Sequence, residues 1–334
     1  GGDVLKQFRF FLPVLPLIYI LFGKFLEDVA LRMKSKGSGS IKTGLAIALG
    51  VSIILGIINY NNQKEAIKKD VETENGLVEK MKSAGLWFKN KQTQLGRPLV
   101  LAATTIGAVS YFSDVIVIDN LGLTDETIAH KPQHIPEVDS LVLNWKERRY
   151  NPEYVLSRKP DYIYFSTGIK PSAYAEIAMV TTDDFLKGYY AYPFSVKEQR
   201  FSDVVYKRRP EQEIASFKNN FSVNPNYNKK FAGEFSYGMN MLNKNKQESI
   251  RAFNSAIDKA PPFFGAPYQY LGDIYMQAGN KEEAFRYYLK ALEADSYYNV
   301  NALAGIYSVY VQKGDTENAN KTLERLNQIA PEMK

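Results

Sequence analysis

A chain of 334 residues is long enough for two or three domains, and 45% hydrophobic with 13% aromatic residues supplies a full apolar core. The net charge of +6 comes from 42 Lys and Arg scattered among 36 Asp and Glu rather than gathered on one element, which argues against nucleic acid as a partner. With no cysteine, the chain has neither disulfides nor thiolate metal ligands.

The opening, GGDVLKQFRFFLPVLPL, runs from Gly1, Gly2 and Asp3 past Arg9 into an apolar stretch at residues 10–22. That stretch reaches membrane-spanning length only by taking in Phe25 and Leu26 beyond Lys24. Residues 43–59, TGLAIALGVSIILGIIN, form a second span of about the minimum length, with Gly44, Gly50 and Gly56 spaced for close helix packing. No small-residue cleavage site follows the first stretch and the second lies too far in, so neither is a cleaved signal peptide. Between them Lys24, Arg32, Lys34, Lys36 and Lys42 outnumber Glu27 and Asp28. Lys and Arg favour the cytoplasmic side, which predicts this loop inside and everything after about Tyr60 outside, periplasmic or extracellular. Residues 37–40, GSGS, read as a flexible linker.

Residues 63–90 place Ile67, Val71, Val78, Met81 and Phe88 at three-, four- and seven-residue steps, the pattern of a connecting helix. Residues 98–104, 115–118 and 160–166 read as strands, and 152–157 as a short helix; the alternation predicts an α/β sandwich. The stretch 115–131, VIVIDNLGLTDETIAHK, writes a strand, a turn at Gly122 and a helix start with Thr124 as N-cap. Asp119 and Asp125 stand at the rim of this unit, either as functional carboxylates or as a turn former and a helix-dipole partner. His130 and His134 are separated by Pro132, which breaks the helix that would align them as metal ligands. Nucleophile-elbow, phosphate-loop and dinucleotide motifs are absent from the sequence. The aromatic run 188–194, GYYAYPF, suits a packed β-strand or a sugar-stacking surface, and the polar, Asn-rich residues 211–230 read as a linker.

The last hundred residues repeat with a period of about 34. Tyr268, Leu271, Gly272, Tyr275, Gly279, Ala284, Tyr288 and Ala291 are echoed by Leu303, Ile306, Tyr310, Gly314, Ala319 and Leu326, with an earlier unit around Ser249, Phe253 and Ala256. Small residues at close helix contacts and large ones between them are the spacing of tetratricopeptide repeats. Such arrays bind protein segments, which makes Tyr268, Tyr275 and Tyr310 partner-binding candidates; the alternative is an array that only shields the α/β domain.

Three segments carry a family resemblance: the GGD…RF…P…P opening, Gly107, Tyr111, Phe112 and Ser113 followed by residues 119–129, and residues 145–165, WKERRYNPEYVLSRKPDYIYF. Together they resemble integral-membrane GT-C glycosyltransferases of the arabinofuranosyltransferase and mannosyltransferase kind. The apolar stretches, the strand–helix alternation and the 34-residue period together predict membrane helices plus an α/β soluble domain plus an all-α repeat solenoid, divided as 1–60, 61–95, 96–210, a linker at 211–230, and 231–334. The resemblance implies the C-terminal part of an enzyme that moves a sugar from a polyprenyl-phosphate donor to an extracytoplasmic protein or glycan. The catalytic base is then expected upstream of residue 1. Arg9 would pair with the donor phosphate, Gly1 and Gly2 would let backbone N–H groups approach, and Asp3 would orient a sugar hydroxyl or a divalent metal ion; the plain alternative is a snorkelling Arg9 and a solvated Asp3. Where relatives often carry Gly-His-Glu this chain has residues 144–149, so no histidine role is carried over. A non-catalytic, membrane-anchored scaffold is the alternative function.

Overall fold

The computed structural model describes residues 13–35, 41–216, 224–294 and 299–330. The chain divides into two units, Gly1–Glu79 and Lys80–Lys334.

The first unit holds α1 (Leu15–Ser35) and most of α2 (Ile41–Leu95), so the second apolar stretch and the expected connecting helix are one helix. Among the described residues no helix is long and apolar enough to cross a membrane, which corrects the expectation of two spans. The physical reason in α1 is the break at Lys24, whose ammonium pairs with Glu27 at 2.8 Å and Asp28 at 3.9 Å; this polar turn ends the apolar run short of the ~20 residues a span needs. In α2 the apolar stretch ends at Ile58, ahead of Asn59, Tyr60 and the charged residues that follow. Gly50 and Gly56, expected on a close-packing face, meet no neighbouring atom.

The second unit is built on a five-stranded mixed sheet of order β2-β1-β3-β5-β4. Its strands are β1 (Val100–Ala103), β2 (Ile116–Asp119), β3 (Tyr162–Tyr164), β4 (Tyr189–Val196) and β5 (Phe201–Arg208). β1 runs parallel to both β2 and β3, and β4 and β5 form an antiparallel hairpin joined to β3 through β5. The three sequence-predicted strands are all present, and the aromatic run is β4. Between them lie α3 (Gly107–Ser113), α4 (Glu126–His130), α5 (Pro136–Asp139), α6 (Pro152–Ser157), α7 (Tyr174–Val180) and α8 (Asp183–Gly188), with α9 (Glu211–Ser216) after β5.

Side-chain alternation sends residues of each strand to two cores. One face carries Leu101, Ala103, Tyr162 and Tyr164 against Met81, Ala84, Trp87 and Phe88 of α2. Trp87 stacks on Phe194 at 4.3 Å and meets Tyr162 edge-on at 5.3 Å. The other face carries Ala102, Ile118, Ile163 and Phe165 against α7 and α8.

Three helical hairpins follow: α10 (Phe231–Met241) with α11 (Lys246–Lys259), α12 (Ala266–Gln277) with α13 (Lys281–Ala294), and α14 (Val300–Lys313) with α15 (Thr316–Ile329). They share the sheet's cores. Phe231, Phe235, Phe253 and Leu271 join the α7 side, and Val300, Leu303 and Leu326 join the α2 side. Ser236 Oγ donates to the Pro171 carbonyl at 2.5 Å, and Lys170 Nζ reaches Asn240 Oδ1 at 2.9 Å. α14 also packs beside β4, the outer strand of the sheet. The stretch read as a linker leaves sheet and repeats in one compact unit. Asn224 Nδ2 bonds the carbonyls of Asp258 and Ala260, and Tyr227 packs on the shared core.

Candidate functional site at the carboxyl edge of the sheet

In an open sheet with parallel strands, loops that leave neighbouring strands in opposite directions open a crevice at the strands' carboxyl ends. Here β1 leads outward to β2, whereas β3 leads across to β4 and β5, so the strand order reverses between β1 and β3. Thr104 and Thr105 follow β1, Asn120 to Thr124 follow β2, and Ser166 and Thr167 close β3.

The two rim carboxylates are consumed locally. Asp119, 1% exposed, accepts from Leu121 N at 3.0 Å, Thr124 N at 2.8 Å and Thr124 Oγ1 at 3.3 Å, which builds the turn that Gly122 closes at φ +69°. Asp125, not Thr124, is the N-cap of α4, accepting from Ile128 N at 3.1 Å and from the Tyr154 hydroxyl at 3.2 Å. The Thr124 hydroxyl is turned to Asp119, and the cap passes to the next residue, whose side chain reaches the same turn. Ser166 is held in the same way: Glu176, fully buried, accepts from its N and Oγ with one carboxylate oxygen and from Ser172 N and Ala173 N with the other.

Two side chains at this edge remain unsatisfied. Thr104 Oγ1 and both amide atoms of Asn120 are buried without a hydrogen-bond partner, although each residue is only 2% exposed. Their backbones are in the ladder, Thr104 N donating to Tyr164 O and Asn120 N to Ala103 O. Near the end of β3, Lys80 Nζ lies 3.1 Å from the Asp203 carboxylate and 3.1 Å from the Ser166 carbonyl. The Tyr164 hydroxyl donates to Asp203 at 2.5 Å. Burial first, and the Asp203 charge second, raise the Tyr164 phenol far above its ordinary value, so it stays a donor. Sequence reasoning missed Thr104 and Asn120, whose only signal is that each ends an apolar strand. The Lys80–Asp203 pair joins residues too far apart in the chain for any local pattern to show.

Among the repeat candidates, Tyr268, Tyr275 and Tyr310 are half-buried and pack beside Ala284, Tyr288 and Val309. Tyr275 stacks on Tyr287 at 5.3 Å, Lys290 lies over Tyr268 at 6.0 Å, and Tyr310 meets Phe285 at 5.4 Å. Deeper in the array, Asp273 accepts from the Tyr288 hydroxyl at 2.8 Å and from Gln269, while burial pushes its carboxyl up to about 6. Gly1, Gly2, Asp3 and Arg9 lie outside the described residues. Among the described residues no His, Asp and Glu cluster is arranged to hold a metal ion; His130 closes α4, and His134 sits 3.5 Å from Asp139.

Residues 68–218, spanning the sheet domain, match a Domain of unknown function (DUF8728). No curated protein matches the chain. Residues 266–298 match the tetratricopeptide repeat, and α12 and α13 form its helical hairpin. The chain therefore carries a tetratricopeptide-repeat region fused through common cores to a mixed five-stranded α/β domain.

Proposed function

We propose that this chain is the C-terminal, acceptor-side part of a membrane glycosyltransferase of the GT-C kind. In this reading the first unit lies against lipid at the cytoplasmic membrane, and the sheet-and-repeat body stands on the extracytoplasmic side. A polyprenyl-phosphate sugar is the donor. The body holds a protein or glycan acceptor, the catalytic base belongs to the enzyme's upstream part, and Asp3 and Arg9 help to hold the donor.

The observation that carries the reading is the surface of the first unit. Leu49, Val51, Ile53, Ile54, Leu55, Ile57 and Ile58 of α2 are each more than half exposed. At 100° per residue they cover roughly two-thirds of the helix circumference. An amphipathic helix on a protein core would expose a polar face instead, so this surface calls for an apolar surrounding. Leu17, Ile20, Leu21 and Phe25 of α1 are exposed in the same way. The internal use of Asp119 and Asp125 supports a binding rather than a bond-making role for the body.

The same use of both carboxylates favours a second reading, a non-catalytic membrane-attached scaffold whose repeats dock a protein partner. One experiment separates the two. Native membranes containing the protein are incubated with radiolabelled polyprenyl-phosphate sugars and endogenous acceptor, beside membranes carrying Asp3→Ala or Arg9→Ala. Transfer lost in both variants, with the protein still present, supports the enzyme. Undiminished transfer in both removes the assigned roles, and the absence of protein-dependent transfer leaves the scaffold.

A further inference from the structure

We propose that the outer edge of β4 binds an extended protein segment, which adds its main chain to the strand and inserts one branched aliphatic side chain into a cleft between the sheet and the repeats. This deepens the acceptor-side reading above by naming what the body holds, and rests on it. β4 is the last strand of the sheet, so among the described residues one side of its backbone has no strand beside it. Its register shows which groups face that side. Gly188 O accepts from Arg209 N, and alternation from there gives Tyr190 with Lys207 and Tyr192 with Val205 as the hydrogen-bonded pairs. Tyr189, Ala191 and Pro193 therefore turn their backbones away from β5. Tyr189 gives its N–H to Phe185 O and Pro193 has none, which leaves Ala191 between them as the residue offering both N–H and C=O to a further strand.

The cleft opens at this point of the edge. Tyr189, Tyr190 and Ala191 wall it on the sheet side, and Phe263, Ala266 and Val300 on the repeat side, around a cavity of about 80 Å³. The phenols of Tyr189 and Tyr206 are committed to the Pro160 and Ile169 carbonyls at 2.9 and 3.0 Å, so these rings present apolar surface. None of the lining residues carries a charge, which selects a neutral group. A cavity of about 150 Å³ holds a benzene ring, so this smaller one suits an isopropyl or isobutyl group and excludes both an aromatic side chain and a sugar ring. At the start of α14, Asn299 and Asn301 add carboxamides to the lining. Asn299 Oδ1 accepts from Ala302 N at 3.1 Å, so towards a ligand this amide acts through Nδ2 as a donor, while Asn301 can both donate and accept. Such groups match the C=O and N–H of a peptide main chain.

The test uses the full chain in lipid nanodiscs and capped peptides of sequence Gly-Thr-X-Thr-Gly, with X as Val, Leu, Phe or Asp, titrated by saturation-transfer NMR. The Val or Leu peptide is expected to bind, and the Phe and Asp peptides to bind at least about tenfold more weakly. Ala191→Pro, which removes the outward N–H on an edge that already carries Pro193, and Ala266→Leu, which fills the cavity, are each expected to weaken the Val or Leu peptide by about tenfold or more. If Ala191→Pro lowers the melting temperature, Ala266→Leu and Asn301→Ala decide the matter. Binding of none of the peptides, Phe or Asp binding as tightly as Val and Leu, or full affinity in the variants overturns the proposal. Displacement of the peptide by N-acetylglucosamine overturns it too, as does a chain that elutes as a dimer and becomes monomeric with Ala191→Pro, which places a second copy on the edge. Peptide binding that the variants lose, in a protein without transferase activity, upholds the site and removes the glycosyltransferase. Transfer to a protein acceptor at the wild-type rate in variants that no longer bind the peptides does the reverse.

Discussion

Asp273 shows how a single buried carboxyl sets the behaviour of the repeats. Its ordinary value is 3.8, and burial raises it to about 6 even though Tyr288 and Gln269 stabilise the charge. The folded state therefore holds the proton more tightly than the unfolded chain. Its contribution is fully present below about pH 4, is lost as pH rises towards 6, and is absent above that. The shift is worth roughly 3 kcal/mol at most. Asp273→Asn keeps an oxygen acceptor for Tyr288 and removes the titration. The stability difference between variant and wild type, followed by thermal melts, is expected to move in the variant's favour from pH 4 to pH 7. A difference that stays constant across that range would show that Asp273 does not titrate there. The same residue-scale lesson applies to Asp119 and Asp125. Both are visible in the sequence as strand-end and helix-start carboxylates, yet only coordinates show that their oxygens are already taken by backbone N–H groups. Thr104 and Asn120 carry the complementary lesson, because being unpartnered is a property of three-dimensional surroundings and leaves no mark on composition or spacing.

Among the elements, the repeat hairpins were legible because their packing rule is local. A Cβ placed on Gly272 would lie 2.5 Å from the Tyr288 ring, and one on Gly305 would lie 2.4 Å from it. The large Tyr288 fills the space that two glycines leave on α12 and α14, and its hydroxyl is fixed by Asp273. Gly305→Ala is expected to destabilise the protein by about 1–3 kcal/mol through overpacking. Combining it with Tyr288→Leu should cost less than the sum of the two single changes, because the leucine vacates the clashing ring position. Strictly additive melting-temperature losses would show that the contact is not made. The strands at 98–104, 115–118 and 160–166 were legible for a similar reason: each is a short apolar run bounded by Pro, Asp or Ser. β5 was not, since FSDVVYKR places Asp203, Lys207 and Arg208 in a strand whose polar residues are satisfied by Lys80, Tyr164, the Tyr192 ring and Glu211. Those partners lie on other elements, and the strand reads as a strand only once they are in place.

The second unit behaves as one folding body. Phe231, Phe235 and Phe253 from the first hairpin share a core with Ile163, Phe165 and Ile177, and Val300 and Leu303 from the third share one with Trp87 and Phe194. An array read from sequence as a separable module is thus part of the domain's own interior. A truncation ending before Phe231 is expected to leave the sheet unfolded rather than merely lacking a binding arm, and the intact second unit should melt in one calorimetric transition. A well-folded, protease-resistant truncation would show that the α/β domain stands alone.

The first unit poses the opposite problem, apolar surface without a protein core. Consecutive residues Ile53, Ile54 and Leu55, followed by Ile57 and Ile58, point in different directions around α2, and all are exposed. Burying this much apolar surface is worth about 25 cal/mol per Å², so water is an unfavourable surrounding for it. Lipid satisfies it without a specific partner. The purified chain is therefore expected to float with phospholipid vesicles on a density gradient, and the triple change Ile53→Ser, Leu55→Ser and Ile57→Ser should shift most of it to the bottom fraction. The second unit contains none of these positions, so its melting temperature serves as the control for folding. Wild-type protein that stays at the bottom as a discrete oligomer would instead assign the apolar surface to contacts between protein chains. The acceptor-side reading would then lose its membrane attachment, while the protein-segment site at the edge of β4 would remain to be judged on its own binding data.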